Sequence, residues 1–179
     1  MGDAPILQSK LRADDRGALE RVYREHKDRL LTLAVALTGD RHTAEDVVHD
    51  VFQQLIKDGA GLREKTNLYA YLSVCTRNRA IDIVRRRRTR NLDAATASSQ
   101  PEVDDPVEQA VGREESVAVL KAVSELPSEQ REVLSLHIWG DLPFEEIGPL
   151  QGISKGAAYA RYRKALEKLR LKLRSDSHG

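Results

Sequence analysis

Three groups of side chains in this sequence have the types and spacing to do chemistry or to grip a charged ligand. Residues 154–174 hold eight Lys or Arg and one acid, Glu167. Residues 77–90 hold seven Arg against Asp82 alone, with Tyr69 and Tyr71 just upstream. Between 45 and 54, Glu45, Asp46, His49, Asp50, Gln53 and Gln54 recur at helical spacing. Cations on a helix suit nucleic-acid phosphates, because each contact displaces condensed counterions. Aromatic rings beside guanidinium groups suit single strands, since bases stack on the rings while the backbone follows the cations. The acidic group invites a nuclease reading through Glu45, Asp46 and Asp50. A two-metal site needs carboxylates that converge in a cleft, whereas these lie along one helix face. No Gly-rich phosphate loop of the GxxxxGK[ST] type occurs. We therefore expect no catalytic residues, no metal site and no cofactor. The acids then have two readings, a solvated face that complements the helix dipole or a docking face for a basic partner.

The background composition agrees with a binding protein. The 179 residues suffice for one ordinary domain or two small ones. Net charge is +1, so bulk charge gives no argument for nucleic acid; its segregation does. Between the two basic segments, residues 93–115 carry seven acids against Arg113 alone. Cys75 is the single cysteine, which excludes an internal disulfide, and its apolar setting suggests a buried thiol. The N-terminal MGDAPILQSK lacks the charged start and apolar core of a signal peptide, and no run is long enough to span a bilayer. A cytoplasmic protein is expected.

The elements that must position these groups read as helices throughout. Leu19, Val22, Tyr23, His26, Leu30, Leu33, Ala34 and Leu37 form an amphipathic stripe from Asp15 that ends at Gly39-Asp40. A second helix is expected to start at Thr43, with Asp46 completing a capping-box-like start, and to bury Ala44, Val47, Val48, Val51, Phe52 and Leu55. Gly59 and Gly61 mark a loop. A third helix from about Asn67 carries Leu68, Tyr71, Leu72, Cys75, Arg79 and Asp82 on one side, and places Asn78 and Asp82 within reach of each other. Residues 91 to about 115, with Pro101 and Pro106, read as a flexible acidic linker. Further helices follow over 117–126, with Pro127 in the first turn of the next, whose apolar face is Val133, Leu134, Leu136 and Ile138. Trp139-Gly140-Asp141 makes a turn. Phe144, Ile147 and Leu150 carry a helix that Pro149 should keep short or bent. Gly152-Ile153 reads as a tight turn and Ser154 as the N-cap of the last helix, a helix-turn-helix signal.

In order and spacing, four motifs resemble the extracytoplasmic-function (ECF) group of RNA polymerase sigma factors, in the sigma-70 superfamily. They are AEDVVHDVF (44–52), AYLSVCTRNRAIDIVRRRR (70–88), LPSEQREVLSLHIWGDLPFEEIG (126–148) and ISKGAAYARYRKALEKLR (153–170). The resemblance implies an all-α chain of two small domains: domain 2, a helical bundle, at 12–90; a flexible acidic linker at 91–114; and domain 4, a helix-turn-helix, at 115–175. It implies a transcription initiation factor without enzymatic chemistry. Its partners would be core RNA polymerase, through clamp helices and flap, and promoter DNA; an anti-sigma factor is a common further partner in the group.

By position, Asp46, His49, Asp50 and Gln53 correspond to the clamp-docking face. Asn78 corresponds to the Asn that lines the pocket for a flipped −10 base, with the loop 58–67 beside it, Tyr71 at the position of a common Trp, and Arg85, Arg86, Arg87 and Arg88 on the promoter backbone. Lys155, Tyr159, Ala160, Arg161 and Lys164 fall on the −35 recognition helix, and Arg131 where a phosphate contact is expected. Ala157-Ala158, Tyr159-Ala160 and Gly148-Pro149 depart from the family pattern. The runner-up is a stand-alone helix-turn-helix regulator. The sigma reading expects two separately hinged modules, with Asn78 and the following arginines accessible.

Overall fold

Val22, Leu30, Leu33, Ala34 and Leu37 are buried along the first helix, α1 (Arg16–Thr38), as the three- and four-residue stripe requires. The computed structural model describes residues 16–58, 67–93 and 114–176, which form seven helices. α1 ends where the Gly39 amide donates to the Val35 carbonyl at 2.8 Å. α2 (Arg41–Asp58) buries Ala44, Val47, Val48, Val51, Phe52 and Leu55 on one side. Its cap is Asp40, not Thr43. The Asp40 carboxylate accepts from the Thr43 amide at 2.7 Å and from the Thr43 hydroxyl at 2.6 Å, so Thr43 is a buried first-turn residue. α3 (Leu68–Asp93) is capped by Asn67, whose side-chain oxygen accepts from the Tyr69 and Ala70 amides. The expected loop at 59–66 and most of the expected linker, 94–113, lie outside the described residues.

α4 (Glu114–Ser124), α5 (Ser128–Ile138), α6 (Phe144–Leu150) and α7 (Lys155–Asp176) form the second group. Pro127 is the residue before α5 and not in its first turn; its carbonyl accepts from the Gln130 and Arg131 amides. Val133, Leu134 and Leu136 are fully buried, but Ile138 is 44% exposed, because α5 ends there and the chain turns away through Trp139. α6 is short, seven residues, with Pro149 next to last. A proline that late forfeits one helical hydrogen bond in a helix already ending. The tight turn after α6 rests on two glycines. Gly152 adopts φ +65, which favours glycine. Gly148 sits so close to the turn that a Cβ there would lie 2.8 Å from the Ile153 carbonyl oxygen.

α1 packs on α2 and α3, and α7 packs on α4, α5 and α6. α1 also packs on α4 and α5, so buried residues of both groups join in one core. The separately hinged modules expected from sequence are here in contact. Asn78 and Arg85–Arg88 nevertheless remain exposed.

Candidate nucleic-acid interface

The third helix carries the densest cluster of polar groups. Asn78 sits on the rim of an open cleft of 430 Å³ between α2 and α3, lined by Asp50, Val51, Gln53, Gln54, Lys57, Cys75, Asn78 and Arg79. Arg79 donates from Nε to the Asp50 carboxylate at 2.7 Å and so straps α3 to α2 across the cleft. Asn78 does not pair with Asp82 as its spacing allows. Its side-chain oxygen accepts from Arg77 Nη1 at 2.9 Å, while Asp82 takes Arg85 at 3.3 Å. A guanidinium only donates, so the amide group facing Arg77 must be the oxygen. That leaves the Asn78 NH2 to donate elsewhere. Cys75 is half-buried on the cleft wall and not sealed in the core.

Among the acidic-face residues, Asp46, His49 and Gln53 are exposed and Asp50 is half-buried. Gln53 approaches His49 at 3.4 Å. Asp50 therefore faces the cleft, whereas Asp46 and His49 are not among its lining residues. Glu45 pairs with Arg41 at 2.7 Å, so Glu45 and Asp50 are each matched by an arginine and do not converge with Asp46 on a common point.

Further along α3, Arg85, Arg86, Arg87 and Arg88 are all exposed. Arg87 donates to Asp40 at 2.8 Å, which fixes one cation of the run against the α1–α2 turn. Burial pushes the Asp40 carboxyl up, but hydrogen bonds from Thr43 and Arg87 outweigh it and hold the group below its ordinary value. The two tyrosines differ. Tyr71 is half-buried, but Tyr69 is 6% exposed, its hydroxyl donates to the Trp139 carbonyl, and Arg29 covers its ring at 4.1 Å. Tyr69 is therefore a packing residue in this arrangement and not an open stacking platform. Its hydroxyl is pushed above the usual phenol value by burial.

On the last helix, Ser154 caps as expected: its hydroxyl accepts from the Ala157 amide at 3.1 Å. Lys155, Tyr159, Ala160 and Lys164 are exposed on the first turns. Tyr159 keeps 47% of its surface while its ring leans edge-on against Phe144. Lys155 pairs with Glu145. Arg161 is held more firmly, at 3.0 Å from Glu129 and 2.8 Å from Gln151. Arg131 is half-buried and donates to the Ser124 carbonyl at 2.9 Å, tying α5 to the end of α4; burial lowers its pKa. Arg77 and Glu132, absent from the sequence reading of the site, meet at 2.6 Å across the two groups of helices. Their separation of 55 residues left no local signal.

With this geometry in place, comparison with known proteins places the chain. Sigma-70 region 2 matches residues 22–90, and Sigma-70, region 4 matches residues 116–169. RNA polymerase sigma factor CarQ of Myxococcus xanthus is 30% identical over 159 residues, which cover 86% of this chain and 87% of CarQ. ECF RNA polymerase sigma factor SigL of Mycobacterium tuberculosis is 29% identical, covering 90% and 92%. Probable RNA polymerase sigma factor RfaY of Xanthomonas campestris is 29% identical over 89% of this chain, but the match spans only 40% of that relative. Among solved structures, the sigma factor RpoE of Bartonella quintana, crystallised with the anti-sigma factor NepR, superposes with a TM-score of 0.72 at 22% identity, covering 88% of this chain and 97% of that one. The chain belongs to the ECF group of RNA polymerase sigma factors, in the sigma-70 superfamily.

Proposed function

We propose that this chain is a transcription initiation factor that binds core RNA polymerase, directs it to specific promoters and promotes opening at the −10 element. The observation that carries the reading is the cleft beside Asn78, polar on its rim and followed along the same helix by four exposed arginines. Extracting a base from the stack costs about a few kcal/mol. Hydrogen bonds from Asn78 and its neighbours, with backbone contacts to Arg85–Arg88, are suited to offset that cost without nucleotide hydrolysis. In this reading the chain is not an enzyme.

We assign 12–90 to the module that reads the −10 element, 91–114 to the linker and 115–175 to the module that reads the −35 duplex. Asp46, His49 and Gln53 dock on the clamp helices of core, with Asp50 both at the edge of that face and strapped to Arg79. Lys155, Tyr159, Ala160, Arg161 and Lys164 face the duplex major groove, where Lys and Arg read guanine edges. Arg131 steadies the helix pair that presents them. An anti-sigma factor belongs among the partners, since the structural relative RpoE was solved with one. Among the described residues no helix is long and apolar enough to cross a membrane. The protein would act in the cytoplasm, where core polymerase and DNA meet.

Run-off transcription with core polymerase on a promoter library tests the reading. Promoter-specific transcripts that require this protein are the expected result. Duplex binding by the chain alone, with core left inactive, would instead establish a stand-alone regulator.

A further inference from the structure

The face that α7 turns outward is basic at its ends and apolar in its middle. Lys155, Gly156, Tyr159, Ala160, Arg163 and Lys164 are exposed over its first turns, with Ala158 and Ala165 buried behind them. Gly156, Tyr159 and Ala160 thus lie between Lys155 and the Arg163-Lys164 pair. Arg161 does not fill the middle, because its two terminal nitrogens are taken by Glu129 at 3.0 Å and Gln151 at 2.8 Å. The three central residues offer no guanidinium or amide for the bidentate contacts that select guanine or adenine. A Cβ on Gly156 would meet only the Ser154 hydroxyl, at 4.0 Å, so the bare backbone there leaves room for a close neighbour. Tyr159 is braced. Its ring stands edge-on to Phe144 at 5.5 Å, and Phe144 stacks on His137 at 4.3 Å and leans on Tyr162 at 5.3 Å. His137 is itself tied through Nδ1 to the Leu142 carbonyl at 2.9 Å. A ring held in this way has little freedom left to lose on meeting a ligand.

We propose that Tyr159 and Ala160 are a specificity-determining pair that selects thymine in the central base pairs of the −35 element. The inference rests on the assignment of α7 to that duplex. The Ala160 methyl and the Tyr159 ring form an adjoining apolar surface. In the major groove the apolar group that a base edge presents is the thymine C5-methyl, and small or aromatic side chains read it by contact. Cytosine has no methyl at that position and leaves the surface unfilled. Lys155, Arg163 and Lys164 flank the pair and take phosphate or outer guanines, which sets the register of the helix without deciding the central bases. Tyr159-Ala160 is one of the places where the sequence departs from the family pattern, so the preference belongs to this chain and not to the group.

The test uses holoenzyme assembled from the full chain and core polymerase. Promoters are first selected from a library randomised over the −35 element. Uracil, which is thymine without the methyl, then replaces thymine one position at a time on either strand, and filter binding reads affinity. The expected result is enrichment of A·T pairs at adjacent central positions. Uracil there should weaken binding about fourfold, the effect of burying one methyl-sized group. The penalty should persist in Tyr159→Phe, which keeps the braced ring. Tyr159→Arg, a change at an exposed position, should shift the selected centre towards guanine, and Ala160→Gly should reduce the uracil penalty. Circular dichroism establishes unchanged helix content in each variant. Selection of G·C pairs at the centre by the parent, or equal binding of thymine and uracil, would overturn the proposal. So would unchanged thymine selection in both Tyr159→Arg and Ala160→Gly. Failure of core-dependent initiation on every promoter would defeat the sigma reading instead, and the same uracil scan on duplex selected by the chain alone would still decide how α7 reads bases.

Discussion

Asn78 shows how a single side chain is set by its neighbours. Arg77 engages the oxygen end of the amide, so in the proposed reading the group that Asn78 offers a base is a donor. Asn78→Ala should lower open-complex formation about tenfold, in line with the roughly 1–3 kcal/mol of a hydrogen bond lost at a desolvated site, while leaving duplex binding unchanged. Permanganate footprinting and duplex band shifts measure the two; equal losses would remove Asn78 from the base pocket. The acidic face calls for similar care. Asp50→Lys is the obvious test of core docking, but it also breaks the Arg79 strap and places two cations together at the cleft. Asp46 is exposed and lies away from the cleft lining. Asp46→Lys should weaken core binding several-fold, most at low salt, with no change in melting temperature. Unaltered affinity in titrations with core would put the docking face elsewhere.

Helix ends and turns decide how those side chains are held. The Asp40 cap joins α1, α2 and the arginine run through Thr43 and Arg87. Asp40→Ala should cost about 0.5–2 kcal/mol in denaturant melts. Because its carboxyl is held below the ordinary value, the folded state favours the charged form. The unfolded chain then binds the proton more readily, and the stabilisation is present above about pH 4 and lost as pH falls towards the folded value. Asp40→Asn should flatten that acid limb; an identical limb in the variant would argue that other carboxylates set it. In the second module, Gly148 answers the departure from the family pattern. The turn backbone approaches where a side chain would stand, so Gly148→Ala must push Ile153 and the N-terminus of α7 outward. About 1–3 kcal/mol of stability should be lost. Duplex affinity should fall with it, because α7, the proposed recognition helix, is re-aimed; a variant as stable as the parent would show that the turn yields freely.

At the scale of the molecule, the closed arrangement merges two modules that the sequence separates by an acidic segment. Residues of both share one buried core, so a single cooperative unfolding transition is expected for the parent chain. In Glu132→Arg the transition should split, with the α4–α7 unit melting apart from α1–α3. Calorimetry distinguishes the two, and one unchanged transition would mean that apolar contacts alone hold the modules together. The sequence by itself determined the helices, since three- and four-residue apolar spacing and a local cap such as Ser154 act over one or two turns. It also determined the family, through four motifs in order, and the exposure of Asn78 and the arginines. What it missed at short range were competitions between adjacent candidates, such as Asp40 against Thr43 for the cap of α2. Only the tertiary structure decided that Tyr69 is covered and Tyr71 less so, that Cys75 lines a cleft, that Ile138 faces solvent, and that Arg77 meets Glu132. Those outcomes depend on which helix lies against which. Packing between residues on different helices has no periodicity for a sequence to display.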